Sequence, residues 1–167
     1  MLFKKCLQCL LFICLSFWFG SGLYFTCFAA PELFSGFPID TASKAVGLLF
    51  PTFFTLSAIL SIVCWVLYVV LARQENDPGK ASRVLHGLLL IGTICSLANR
   101  LYFLPTVQSL ESKMGPISGA PAALIQRFGI VHGISMLVQF VELVVVLCIW
   151  IVIGWKTSIR FKNREVM

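Results

Sequence analysis

Charged side chains are scarce in this sequence. Asp, Glu, Lys and Arg make up only 12% of its 167 residues, whereas 59% of the residues are hydrophobic. An ordinary soluble domain is about 25% charged and about 45–50% apolar. The scarcity excludes an ordinary soluble domain and indicates a membrane protein, and the length favours a single domain over residues 1–167.

The sequence also lacks the motifs that commonly carry catalysis. It contains no HExxH zinc motif, no glycine-rich phosphate loop, no GxSxG nucleophile elbow and no paired-carboxylate motif. We therefore expect a protein that is not an enzyme. Cysteine is missing from the connections on the outer side, so nothing supports a disulfide framework there.

Four long apolar segments are present instead. A helix of about 20 residues crosses the hydrocarbon core of a bilayer, and the segments at residues 7–30, 51–72, 84–104 and 128–154 all reach that length. Short connections join antiparallel neighbours. The sequence therefore predicts an all-α polytopic membrane protein, an up-down bundle of four transmembrane helices.

Proline and capping residues suggest where these helices begin and end. Pro31 and Pro105 are expected to end the first and third helices, because proline lacks the N–H group and clashes with the preceding turn. Asp40 or Thr41 is expected to cap a short turn that leads into the second helix.

The first segment has the outline of a secretory signal peptide, since Lys4 and Lys5 precede an apolar run that ends just before Pro31. A secretory apolar region is typically about 7–15 residues long. This run is about twice that length, and a proline directly after the candidate cleavage site disfavours processing. We expect a retained helix.

The basic residues are distributed unequally between the two sides of the predicted bundle. One side carries Lys4, Lys5, Arg73, Lys80, Arg83, Lys156, Arg160, Lys162 and Arg164, and the other carries Lys44, Lys113 and Arg127. The positive-inside rule then places both termini in the cytoplasm. Topology thus accounts for the net charge of +6, and a nucleic-acid partner is not expected. The expected location is the cell (inner) membrane if the chain is bacterial.

Polar side chains inside the fourth segment are the most unusual feature. His132, Ser135, Gln139 and Glu142 fall within an arc of about 80° on a helix of 100° per residue. An acidic residue at the centre of a transmembrane helix costs about 2.5–3.5 kcal/mol on insertion scales. The stripe is therefore expected to face the other helices or a wet cavity.

Asn99 and Arg100 are the polar residues expected to meet this stripe. Glu142 lies roughly 15 Å deeper than His132 by helical rise, so direct pairing of Arg100 with Glu142 would strain both side chains. The cluster is expected near the outer end, with Gln139 linking it towards Glu142. The candidate ligand-binding residues are Asn99, Arg100, His132, Ser135, Gln139 and Glu142.

Two histidines on neighbouring helices raise the question of haem. His86 and His132 differ in depth by roughly 20 Å, so one iron cannot take both as axial ligands. A metal ion or haem held by His132 alone, copper included, remains open.

Five short motifs resemble those of a known family. FWFG (Phe17–Gly20), APELF (Ala30–Phe34), KAVGLLFPTFF (Lys44–Phe54), YFLPTVQSL (Tyr102–Leu110) and FGIVHGIS (Phe128–Ser135) are similar, in order, to motifs of the transmembrane protein 205-like family. The resemblance implies a small four-helix membrane protein and no established activity. Gln139 departs from the pattern, in which Asn is expected. The matching positions are Trp18, Gly20, Pro31, Phe34, Pro105, His132 and Ser135.

Three functions follow from these observations. The first is binding or passage of a small ligand or cation through the polar cluster. The second is a structural or assembly subunit of a membrane complex, whose polar stripe holds helices together. The third is a single-histidine haem or metal subunit, since the chain shares a weaker kinship with copper-resistance membrane domains. Besides the bilayer, the expected partners are a second copy of the chain, in a homodimer, or the other subunits of a larger membrane complex.

Overall fold

The computed structural model describes residues 2–74 and 79–165, with side chains as far as Trp155. The connection at residues 75–78 lies outside the described part. The described residues form six α-helices: α1 (Leu2–Tyr24), α2 (Ala30–Gly36), α3 (Ile39–Ala72), α4 (Lys80–Ala98), α5 (Leu104–Met114) and α6 (Ala122–Glu165). Two π-helical turns, Phe25–Ala29 and Asn99–Phe103, and a 3-10 turn, Ile117–Gly119, complete the described elements.

These elements form four helical segments that are long and apolar enough to cross a membrane: Leu2–Gly36, Ile39–Ala72, Lys80–Met114 and Ala122–Trp155. The all-α class and the number of candidate spans are thereby confirmed. Each segment is longer than the sequence predicts, because helix continues past the apolar runs into residues expected to be loop.

Pro31 and Pro105 do not end helices, so that prediction is wrong. Each proline lies two residues after the end of a π-helical turn. The first turn is closed by a hydrogen bond from the Ala30 N–H to the Phe25 carbonyl, and the second by one from the Leu104 N–H to the Asn99 carbonyl. The five-residue spacing of these hydrogen bonds widens the helix just before each proline. In a regular α-helix, the carbonyl four residues earlier would clash with the proline ring. The helix therefore continues past both prolines.

Asp40 and Thr41 do not cap a helix either. α3 begins at Ile39, and Pro38 occupies its N-cap position without a side-chain hydrogen bond. The Asp40 carboxylate instead reaches the turn before α6, where it accepts hydrogen bonds from the Ile117 N–H at 2.7 Å and the Ser118 hydroxyl at 2.6 Å. It therefore ties two connections together at one end of the bundle.

The four segments run in alternating directions. Ser57 of α3 contacts Ser96 of α4 at mid-helix, and Tyr68 contacts Ser82 further along. α1 and α6 close the bundle in the same antiparallel sense, since Phe12 stacks on Trp150 while Trp18 meets Glu142.

An apolar core fills the half of the bundle in which α1 begins. It contains Leu11, Leu15, Cys64, Leu85, Leu89, Val146 and Ile149, all buried. The outer surface is apolar as well, with large side chains such as Leu48, Leu101 and Leu137 exposed. Soluble proteins rarely expose apolar surface on this scale, which is consistent with a multi-pass integral membrane protein.

Candidate binding cavity and buried carboxyl group

Glu142 is held in the middle of the bundle by one residue from each neighbouring segment. Its side chain is 1% exposed. The Oε1 atom accepts hydrogen bonds from Trp18 Nε1 at 2.5 Å, from Ser96 Oγ at 2.8 Å and from Ser57 Oγ. The Oε2 atom is buried and has no partner among the described residues. α1, α3, α4 and α6 thus meet at a single carboxyl oxygen.

The indole of Trp18 reaches this carboxyl group because α4 carries a glycine beside it. A Cβ atom at Gly92 would lie 2.7 Å from Trp18 Cη2, closer than side chains pack. Trp18 itself is only 2% exposed. Gly92 therefore makes the space that the indole ring fills.

A second polar group lies one helical turn away. Asn99 is fully buried at the first position of a π-helical turn. Its Oδ1 atom accepts a hydrogen bond from Ser135 Oγ at 2.8 Å, and its Nδ2 donates to Gln139 Oε1 at 3.4 Å. These three predicted site residues are brought together.

The contacts of Arg100 and His132 lie outside this hydrogen-bonded group, although His132 lines a cavity together with Ser135 and Gln139. Arg100 Nε donates to Thr55 Oγ1 at 2.8 Å. Successive helical residues point about 100° apart, so Asn99 faces α6 while Arg100 faces α3. The His132 ring stacks on Phe128, with ring centroids 5.4 Å apart, and meets the edge of Phe50 at 6.0 Å.

A cavity of about 460 Å³ opens beside the Asn99 group, at the end of the bundle opposite the apolar core. Its walls are formed by α3, α5, α6 and the chain around the first π-helical turn. Most of its lining is apolar, and the lining includes Phe25, Phe34, Phe50, Phe53, Phe54 and Phe128. The polar side chains at its walls include Glu111, His132, Ser135 and Gln139. Ligand pockets commonly have such volumes and linings, about 300–1,000 Å³ and mostly apolar.

His132 does not gather further metal ligands from the described part of the chain. Among those residues, no three His, Cys, Asp or Glu side chains come together in a way that could hold a metal ion. His86 lies elsewhere, beside Trp65 at a ring distance of 5.9 Å. A metal or haem at His132 would need its remaining ligands from outside the described residues.

A family model described as a domain of unknown function (DUF4149) matches residues 13–116, which is more than half of the chain. The chain belongs to this family. Searches of curated proteins and of solved structures gave no match. The match supports an uncharacterised domain family and does not single out the transmembrane protein 205-like family.

The DUF4149 region supplies one part of both polar groups and α6 supplies the other. Trp18, Ser57, Ser96 and Asn99 lie inside the matched region. Their partners on α6, Glu142 among them, follow it in the chain. The positions that carry the transmembrane protein 205-like resemblance lie in three different places. Trp18 donates a hydrogen bond to Glu142, whereas Gly20 and Pro105 are exposed. The remaining positions line the cavity: Pro31, Phe34, His132 and Ser135.

Sequence reasoning missed several residues of the site. Ser57 and Ser96 gave little signal, because isolated serines are common in transmembrane helices. A third helix that ends at Pro105 leaves Glu111 in the following loop, whereas α5 carries it into the cavity wall. The sequence around Glu111 has the pattern of an amphipathic helix. That pattern predicts α5 only if the helix is assumed to continue past Pro105.

Proposed function

We propose that this membrane protein binds a small, mainly apolar molecule in the cavity and performs no chemistry on it. The observation that carries the proposal is the cavity itself, about 460 Å³ of space with aromatic walls and a few polar groups. Sites for small molecules combine such a lining with few polar groups that fix the orientation of the ligand.

The polar end of the cavity is suited to orient a hydrogen-bonding group of the ligand. Gln139 uses its Oε1 to accept from Asn99, which leaves its amide N–H groups for another acceptor. The contacts that the structure gives His132 are with phenyl rings, so its ring nitrogens remain open to a ligand. An amphipathic molecule would place its polar group between these side chains and its apolar part among the phenylalanines.

The packing favours binding over passage of a ligand or cation through the bundle. Below the Asn99 group lies the Glu142 group, and below that the apolar core with fully buried Leu15, Cys64 and Ile149. A passage would require these layers to separate. The cavity is therefore closed on the side that faces the Glu142 group and the apolar core.

The charge distribution supports an orientation with both termini in the cytoplasm. Lys4 and Lys5 lie in the first turn of α1, and Lys80 begins α4, at one end of the bundle, whereas the cavity lies at the other end. The positive-inside rule then directs the cavity to the opposite side of the membrane. Reporter fusions at the two termini and within residues 115–121 should report the same side for the termini and the other side for the loop.

Binding is tested by thermal stabilisation with butylbenzene, a neutral apolar probe, using protein in lipid nanodiscs. A ligand that binds only the folded state stabilises it by about 2.7 kcal/mol at one hundred times its dissociation constant. The wild type should therefore melt at a higher temperature when the probe is present.

Two glycine variants provide the matched control. Gly129 lines the cavity and Gly133 does not, yet both are exposed on α6 with nothing within 4 Å of an added Cβ. Gly129→Phe should fill the cavity and abolish the stabilisation, and Gly133→Phe should retain it. Equal stabilisation of both variants would show that the probe acts from the surrounding lipid.

A further inference from the structure

Glu111 presents an unpaired carboxylate to the cavity. Its side chain is half-buried on α5, and its Oε2 atom lies 3.8 Å from the point where a Cβ at Gly47 would stand. Within the described part of the chain, this carboxylate has no hydrogen bond or ion pair. A carboxylate withdrawn from water without a partner is unfavourable, so the position favours an occupant that supplies one.

The other lining residues supply no fixed positive charge to Glu111. None of the described side chains around the cavity belongs to Lys or Arg, and His132 is the only basic group among them. When ionised, Glu111 gives this space a negative charge that the described walls do not balance. A neutral or anionic molecule would leave that charge uncompensated.

The aromatic lining favours the same kind of occupant. Phe25 stacks on Phe53 with ring centroids 4.6 Å apart, and Phe50 stacks on Phe54 at 5.4 Å. Further rings from α2 and α6 face the same space. Aromatic faces carry partial negative charge and attract organic cations, most strongly where water is excluded.

We propose that the ligand of the cavity is a lipophilic amine or quaternary ammonium compound, whose cationic group pairs with Glu111 while its apolar part packs against the phenylalanines. The assignment rests on the proposed function, since it requires that the cavity binds a small molecule at all. It adds the chemical class of that molecule and names Glu111 as the residue that determines specificity.

The test compares two compounds of the same shape that differ in charge. One is 4-phenylbutyltrimethylammonium, and the other is its neutral analogue in which carbon replaces the quaternary nitrogen. Equilibrium binding of each is measured to protein in phosphatidylcholine nanodiscs, with empty nanodiscs subtracted. The wild type should bind the cation about tenfold more tightly, within the range of desolvated cation–π and charge-assisted contacts.

Two carboxylate variants assign the preference to one residue. Glu111→Gln keeps the shape of the side chain and should bring the affinities of the two compounds together. Glu32→Gln, on an exposed residue of α2 outside the cavity, should leave the preference intact.

The outcomes separate the two proposals. If the wild type binds the neutral compound as well as the cation, or if Glu111→Gln retains the preference, the cation assignment is overturned while the binding function stands. If the wild type binds neither compound, the binding function fails and the assignment fails with it. The affinities of the wild type for the cationic and the neutral compound test the cation assignment even if a variant folds poorly.

Discussion

A single carboxyl oxygen joins the four segments of this protein. Glu142 Oε1 accepts from Trp18, Ser57 and Ser96, each on a different helix. In lipid, helices gain little from burying apolar surface against one another, so close packing and interhelical hydrogen bonds carry more of their association. The buried glutamate therefore has a structural role that does not depend on any ligand.

Replacing Glu142 with Ala should destabilise the bundle by about 2 kcal/mol, because it removes three interhelical hydrogen bonds worth about 0.6 kcal/mol each on average. Reversible unfolding in mixed micelles with increasing dodecyl sulfate measures the change. Glu32→Ala, at an exposed position, should stay within about 0.5 kcal/mol of the wild type. A Glu142→Ala protein as stable as the wild type would contradict this role.

Gly92 supports the same group from α4. Gly92→Ala should destabilise the protein by about 1–3 kcal/mol through overpacking, since the new Cβ meets Trp18 at 2.7 Å. Gly87→Ala, on the same helix with nothing within 4 Å, should be neutral or slightly stabilising because Ala favours helix over Gly. The unfolding assay compares the two variants directly, and equal stabilities would contradict the close approach.

The sequence could show at this scale that Glu142 needs partners, but not which ones. Burial of a carboxyl group follows from its place in an apolar run. The identity of its donors depends on the rotation of three other helices, and serines and a tryptophan give no pairing signal of their own. Asn99 and Arg100 show the same limit, since adjacent residues turn to different neighbours.

At the scale of elements, the two π-helical turns explain why the first and third segments continue past their prolines. In the sequence, Pro31 and Pro105 predict helix ends. A hydrogen bond that spans five residues precedes each proline, however, and allows the helix to continue. Phe25 of the first turn lines the cavity, and Leu104, which follows the second, lines it too. The sequence does not indicate a π-helical turn, because such a turn depends on packing around the proline rather than on composition. The cavity wall was therefore missed together with the helix ends.

Asp40 should restrain the turn before α6, in contrast to the helix-capping role that its position suggests. Asp40→Ala should speed hydrogen–deuterium exchange at the Ile117 and Ser118 amides several-fold, because both donate to its Oδ1 atom. Thr41→Ala, at the neighbouring exposed position, should leave those amides unchanged. If the faster exchange appeared in the first turn of α3 instead, a capping role would be correct.

On the scale of the whole molecule, the bundle is layered along its axis. An apolar core occupies the end where α1 begins, the Glu142 group lies next, the Asn99 group follows, and the cavity occupies the far end. Hydrophobicity alone predicted four spans and their alternating directions, because apolar length and short connections determine both. The cavity could not be predicted, since its lining comes from α3, α5, α6 and the chain around the first π-helical turn rather than from any single motif.

The most direct test of the cavity is to map what an apolar photoprobe labels. Protein in nanodiscs would be irradiated with trifluoromethylphenyl diazirine and the modified residues identified by mass spectrometry. Our account predicts labels on Phe53, Phe54 and Leu104, which are buried from the surrounding lipid but line the cavity. Those labels should disappear in Gly129→Phe and persist in Gly133→Phe. Labels confined to exposed residues such as Leu101 and Leu137 in the wild type would contradict a binding cavity.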